Sequence, residues 1–398
     1  MTFIDNKAAL ERTVDRLRAH GSFGLDMEFQ RERTFRPRLQ LVQVSTPEEA
    51  LLIDPLAFDD LDALWDVVAD PSIEKIVHAG SQDMEIVFAR SGQLPRNVFD
   101  TQIAAALIGL GDQIGYANLI SRMLHRRLKK GETVTDWSIR PLSTAQVEYA
   151  LDDVRYLHEI REKLWSKLSS MGRETWLREE VEHYEDKGTY ERDPQTLWAR
   201  ISRMRSLDSR QLSVLRELAI WREEEAARRD EPRGRIVADE TLVEIARRTP
   251  KKPEDMKPLR TLHPRELARS GPALVVAVQK GLEAPEETWP RLDAIKPEDE
   301  RFSITVDLLE VVLRARALEN EIAPSYLGTR ADIAQLIEVT VGEGKGVRSR
   351  KPKAETQLLT GWRRGLVGDE LVAFLEGRAS LKIDGATGFV HVLAATAR

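Results

Sequence analysis

Asp26 and Glu28 stand two residues apart in "FGLDMEFQ" (23–30), where Phe23, Leu25, Met27 and Phe29 alternate with Gly24, Asp26, Glu28 and Gln30. That alternation is the period of a strand with one oily face and one acidic face. Two carboxylates side by side repel each other, so they call for something positive between them. Asp83, in "HAGSQDMEIV", stands at the start of a helix that follows a strand, with Ser81 as the expected N-cap and Gly92 as the stop. Tyr149 and Asp153, in "EYALDDVRYL", are four residues apart and so share one face of a late helix. Asp152 lies about 100° away round that helix and is expected to face outward. Four acids without a His–Cys cluster favour hard, oxygen-loving cations, Mg²⁺ or Mn²⁺, with substrate phosphate filling the remaining positions. Two such ions ~4 Å apart clamp an in-line displacement at phosphorus, one on the attacking water and one on the leaving oxygen. The Tyr149 hydroxyl can orient that water. Each piece alone has an ordinary reading: Asp83 as a first-turn acid favoured by the helix dipole, His78 as a core histidine. Their weight lies in occurring together, in order, within one α/β region.

The chain around them has 398 residues, enough for two or three domains, with 41% hydrophobic and 32% charged residues. It has no cysteine, which excludes disulfides, thiolate catalysis and Cys-ligated zinc. No apolar run is long enough to span a bilayer, and "MTFIDNKAALERTVDRL" lacks the pattern of a signal peptide. A cytoplasmic protein without membrane contact is the expectation. The net charge of −6 argues against a nucleic-acid partner, but its distribution does not. Arg205 to Lys280 holds 17 Lys and Arg against 13 Asp and Glu, a basic module in an acidic chain.

Three strand-like runs, "FGLDMEF", "RLQLVQVS" and "EALLIDP", suit an antiparallel meander, followed by a helix in "DDLDALWDVVA" and short strands in "EKIVHAG" and "NVFDTQ". The rest of the first 165 residues is helical by period. From about residue 195 no strand is expected. Two stretches there resemble each other: 215–246 and 308–337 each read as a long amphipathic helix, a Pro-containing turn and a second helix, which suggests a duplicated helical module. "APEETWPRLDAIKPEDERF" between them reads as a linker, and "GEGKGVRSRKPKAE" (342–355) as a basic loop in the second copy.

The order D-x-E, then the Asp of "HAGSQD", then Y-x-x-x-D resembles the tyrosine-type DEDD 3′→5′ exonucleases. The words "LDMEFQRERTFRPRLQLVQVS", "IVHAGSQDMEIV", "DTQIAAALIGLG" and "TDWSIRPLSTAQVEYALDDVRYL" narrow the resemblance to the ribonuclease D family. "LRELAIWREEEAARRDEPRGRIVADETLVEIA" looks like an HRDC helical domain, and the second copy like a more divergent one; the likeness covers roughly residues 1–375. The resemblance implies an α/β plus all-α chain. A ribonuclease H-like domain (1–170), a mixed five-stranded sheet flanked by helices, comes first. A linker (171–204), a first HRDC domain (205–285), a second linker (286–298), a second HRDC-like domain (299–376) and a tail (377–398) follow. It implies metal-binding acids at Asp26, Glu28, Asp83 and Asp153, a water-orienting Tyr149, and two divalent ions, Mg²⁺ or Mn²⁺, per substrate-bound site. It further implies a monomer that trims 3′ ends of structured RNA, above all tRNA precursors, releasing nucleoside 5′-monophosphates.

His78, Gln82, Trp137 and Arg140 are candidate substrate contacts, with a buried place in the core as the competing reading for Trp137. In the helical module the candidates are Arg228, Arg229, Arg233 and Arg235 around Pro232, with Arg247, Arg248, Lys251 and Lys252; a solvated helix face is the alternative. "HRRLKKGE" (125–132) is a second basic patch. A DNA 3′→5′ exonuclease, or an RNA-binding adaptor with a vestigial nuclease domain, are the competing functions.

Overall fold

The computed structural model describes residues 3–128, 135–191, 193–292, 300–341, 356–386 and 390–394. The end of the 125–132 patch and the 342–355 loop lie outside the described residues.

The first 170 residues carry a mixed sheet in the order β1-β4-β3-β2-β5-β6. Its strands are β1 (Phe3–Ile4), β2 (Ser22–Gln30), β3 (Arg38–Ser45), β4 (Ala50–Ile53), β5 (Glu74–Val77) and β6 (Val98–Asp100). β2, β3 and β4 form the expected antiparallel meander, while β5 and β6 continue beyond β2 in parallel. The sheet has six strands rather than the five implied by resemblance. The extra edge, β1, pairs parallel with β4 through two residues only, too few to leave a period in the sequence.

Seven helices cover this sheet: α1 (Lys7–His20), α2 (Asp62–Ala69), α3 (Ser81–Ser91), α4 (Thr101–Leu107), α5 (Tyr116–Leu124), α6 (Thr144–Arg155) and α7 (Leu157–Ser170). α3 is capped by Gly80, not Ser81, and ends at Gly92 in the left-handed conformation as expected. α6 begins with a capping box in which the Ser143 and Gln146 side chains satisfy each other's backbone N–H.

The supposed linker 171–204 is folded. α8 (Glu174–Val181), a 3₁₀ turn at Glu182–Glu185 and α9 (Lys187–Tyr190) pack on the nuclease core, with Leu177 and Tyr184 buried. Two matched helical units follow. The first is α10 (Ser209–Arg229), α11 (Arg233–Ile236), α12 (Asp239–Arg248) and α13 (Pro264–Glu283); the second opens with α14 (Glu300–Glu319), α15 (Pro324–Leu327) and α16 (Arg330–Val341). The long–short–long succession recurs, as the sequence likeness suggests. α17 (Gly361–Arg363) and α18 (Asp369–Leu375) complete the second unit. The tail then forms a hairpin, β7 (Ala379–Ile383) with β8 (Val390–Ala394), where no strand was expected. The polar and charged residues within "ASLKI" hid its period.

Apolar burial divides unevenly. The first helical unit has its own core, including Leu215, Leu218, Leu242, Ile245, Leu274 and Val278. The second unit shares one continuous core with the nuclease sheet. A small third cluster, Leu41, Leu52, Trp137, Ala150 and Leu151, lies on the opposite face of the sheet, under α6.

Candidate active site

The register of β2 fixes the face on which the acids stand. Asp26 pairs across the strands with Gln43, and Glu28 with Leu41. Directly paired residues share a face, and Leu41 belongs to the cluster under α6. Phe23, Leu25 and Met27 point into the main core on the other side. Asp26 and Glu28 therefore project toward α6, and α6 supplies Asp153. Ligand oxygens of Asp26, Glu28 and Asp153 all lie within 4.8 Å of one another. Tyr149, one turn earlier on α6, packs its ring 6.0 Å from that of Trp137.

Asp83 is not part of that tight set. It sits in the first turn of α3, 7% exposed, and feels the charges of Asp26 and Glu28. Its place depends on Asp100, a residue the sequence reading did not single out. Asp100 is 1% exposed; its carboxylate accepts the backbone N–H groups of Ala79 and Gly80 at 3.1 and 3.0 Å and caps α4 through Gln102 and Ile103. The Tyr184 hydroxyl, from the segment expected to be a linker, donates to it at 2.7 Å. This knot holds the β5–α3 turn. Its sequence signal is an Asp directly before a helix, the N-cap pattern, in "VFDTQ".

The electrostatics of the four acids agree with a cation site. Burial pushes Asp26 up to about 6. Burial, then the Asp26 charge, pushes Glu28 up to about 8. Burial, with Asp26 and Glu28, pushes Asp153 up to about 9. Asp83 is raised well above the usual carboxylate range by burial and by Asp26. Carboxyls so placed resist ionising together at neutral pH unless a cation lies among them. The donor set is all oxygen, which fits Mg²⁺ or Mn²⁺. Burial and Asp153 raise the Tyr149 phenol, so it keeps its proton at neutral pH.

Among the buried polar side-chain atoms without a hydrogen-bond partner are both amide atoms of Gln43, opposite Asp26, the Tyr116 hydroxyl and His78 Nε2. The His78 and Tyr116 rings touch at 5.3 Å, and Asp153 and Asp26 act on the Tyr116 phenol. Gln43 and Tyr116 were missed. The only trace of Gln43 is a polar residue inside the apolar run "LVQV".

The other candidates separate. His78 Nδ1 lies 2.9 Å from Thr101 Oγ1, and burial lowers its pKa, so the ring is neutral. Gln82 is exposed beside Asp83. Trp137 is 5% exposed and belongs to the core under α6, which leaves no face for a base. Arg140 is locked in a two-pronged pair with Asp54, at 2.8 Å for both contacts, and donates to the Gln40 carbonyl, so it anchors the loop instead of reaching substrate. Asp152 pairs with Arg155. On α10, Arg229 is 3% exposed between Glu225 and Glu266 and is structural. Arg228 is exposed but pairs with Glu225, and Arg233 pairs with Glu223 while stacking 4.6 Å over Phe35. Arg247 and Arg248 share Glu244, whereas Arg235, Lys251 and Lys252 are exposed.

A carboxylate set on one face of a mixed sheet, completed from a crossing helix, is suited to holding a divalent metal. Residues 1–169 match the family model described as 3′-5′ exonuclease, and residues 211–278 match that of the HRDC domain. The chain is 37% identical over 379 residues to a protein named Ribonuclease D from Gluconacetobacter diazotrophicus, covering 94% of this chain and 93% of that one. It is 37% identical over 385 residues to Ribonuclease D from Zymomonas mobilis, covering 96% and 95%. The crystal structure of Escherichia coli RNase D, an exoribonuclease involved in structured RNA processing, superposes with a TM-score of 0.82 at 30% identity, covering 94% of this chain and 98% of that one. The chain belongs to the ribonuclease D family and is a 3′→5′ exoribonuclease.

Proposed function

We propose that this exoribonuclease trims the 3′ ends of structured RNA, with tRNA precursors as its substrates, through Asp26, Glu28, Asp83, Asp153 and Tyr149. The observation that carries the reading is the convergence of three carboxylates within 4.8 Å, with burial raising all of them. Asp26, Glu28 and Asp153 hold divalent metal, and Asp83 completes the set from α3. Divalent metal held by these residues would supply the positive charge that lowers the pKa of the attacking water and offsets charge on the leaving 3′ oxygen. Tyr149, protonated at neutral pH, donates its hydroxyl to the water and fixes its line of attack on the terminal phosphodiester. The products are nucleoside 5′-monophosphates.

The helical units grip the body of the RNA while the 3′ end enters the site. The stretch 205–285 is the first HRDC domain and 299–376 a second, divergent one; the repeated long–short–long helices support the duplication. Exposed Arg235, Lys251 and Lys252 supply phosphate contacts. The test is a time course on a 5′-labelled tRNA carrying a 3′ extension, with Mg²⁺, with Mn²⁺ and with chelator. Stepwise shortening to the mature end, abolished by chelator, is expected. A structured RNA left intact while an unstructured oligomer is consumed contradicts the tRNA reading.

A further inference from the structure

Gln43 lies in the middle of β3, an interior strand of the sheet, and is 0% exposed. Neither Nε2 nor Oε1 of its side chain has a hydrogen-bond partner among the described residues. A buried amide in that state costs folding free energy that an apolar side chain of the same shape would not.

The neighbours narrow what the amide is for. Leu41 and Ser45 flank it along β3 on the same face, and Leu52 on β4 and Asp26 on β2 stand directly across. Leu41 and Leu52 are apolar and belong, with Ala150 and Leu151, to the cluster under α6. The Ser45 hydroxyl donates to the Val154 carbonyl of α6 at 2.8 Å. That leaves Asp26, whose carboxylate, once ionised, is the strongest acceptor among these neighbours. Directly paired side chains on one face begin about 4.5–5.5 Å apart at Cβ, a gap that a glutamine spans. Carboxylates that ligate a metal are themselves hydrogen-bonded by outer residues that set their orientation.

We propose that Gln43 is a positioning residue for the metal site: its Nε2 donates to the Asp26 carboxylate and holds it in the orientation that receives the ion. The inference rests on Asp26 holding divalent metal, as proposed above. It gives β3 two parts in building the site. Ser45 ties down the end of the helix that carries Asp153, and Gln43 orients Asp26 from the neighbouring strand.

Gln43→Met nearly keeps the volume and removes the amide. Two readouts on the full-length protein then move independently. Mn²⁺ binding by calorimetry is expected to weaken about 10–100-fold. The melting temperature in chelator is expected to hold or rise, because an unsatisfied amide has left the core. A merely structural amide gives the reverse, a lower melting temperature with Mn²⁺ affinity unchanged, and that result overturns the inference. Gln43→Leu repeats both measurements should the methionine variant fail to fold. Leu41→Met, two residues away on the same face, is the packing control and is expected to leave Mn²⁺ affinity unchanged; equal weakening there overturns the role of the amide. Added to Asp26→Asn, Gln43→Met is expected to cost little further Mn²⁺ affinity, since the carboxylate it orients is gone. A second full loss overturns action through Asp26. A wild-type protein that binds no Mn²⁺ defeats the metal reading itself, whereas wild-type binding matched by Gln43→Met defeats this inference alone.

Discussion

At the scale of single residues, the cost of the site is written into its proton affinities. Asp26, Glu28 and Asp153 are raised in the folded chain to about 6, 8 and 9. The unfolded chain titrates these groups near pH 4. Between those limits the folded state binds more protons than the unfolded one, so metal-free stability falls as pH rises from about 4 to about 9. A melting series across that range in chelator is expected to decline, and added Mn²⁺ is expected to restore most at the alkaline end. Asp26→Asn and Asp153→Asn relieve the repulsion. Each is expected to hold or raise the melting temperature without metal while abolishing turnover and weakening Mn²⁺ binding by calorimetry. Tyr149→Phe keeps the ring beside Trp137 and removes only the hydroxyl. Its expected signature is a fall of about 10²–10⁴ in turnover with Mn²⁺ and RNA affinity little changed. Asp152→Asn, at a residue paired with Arg155, is expected to leave turnover nearly intact. Equal losses at Asp152 and Asp153 contradict the face assignment.

At the scale of elements, the strand–helix crossing of β2 and α6 brings the candidate acids together, and polar residues outside that set support it. Arg140 bonds Asp54, directly after β4, and donates to the Trp137 carbonyl, holding the loop whose Trp137 ring packs beside Tyr149. Arg140→Ala strands the Asp54 carboxylate, only 6% exposed, and is expected to cost about 3–5 kcal/mol by denaturant melting. A loss below about 1 kcal/mol contradicts the anchoring role. This region also shows what the sequence could and could not disclose. β2's alternation, the i,i+4 spacing of Tyr149 and Asp153 and the Gly92 stop were legible because local periods and caps encode them. Asp100 shows its N-cap place but not its hold on the β5–α3 turn, because Ala79, Gly80 and Tyr184 lie 20 or more residues away, and Gln43 stands opposite Asp26 across a strand pair whose register the sequence does not print. Arg140 and Arg229 were read as substrate contacts for the same reason. A basic residue in a list carries no sign of the buried acid, Asp54 or Glu266, that claims it. The β7–β8 hairpin and the two-residue β1 carry too few alternating apolar positions to announce themselves.

At the scale of the whole molecule, the division of cores matters more than the count of domains. The first helical unit buries its own apolar residues and touches the nuclease domain through a narrow contact. There the loop after β2 offers Phe35 under Arg233 and the Arg36 backbone N–H to Asp230. A fragment of residues 201–292 is therefore expected to fold alone, with a cooperative helical melt; a non-cooperative melt contradicts a separate core. The second unit has no such independence. Arg173, 5% exposed, donates to the Leu107 carbonyl of the nuclease domain and to Asn320 at the end of α14, tying the two together. No described helix is long and apolar enough to cross a membrane. What the assembled chain does to RNA is a matter of direction, since the site takes a terminus and not a bend. The most direct measurement compares a linear RNA, labelled at its 5′ end, with a circularised RNA of the same sequence, in Mg²⁺. The linear strand is expected to shorten stepwise from its 3′ end with release of 5′-mononucleotides, while the circle persists; cleavage of the circle contradicts the account.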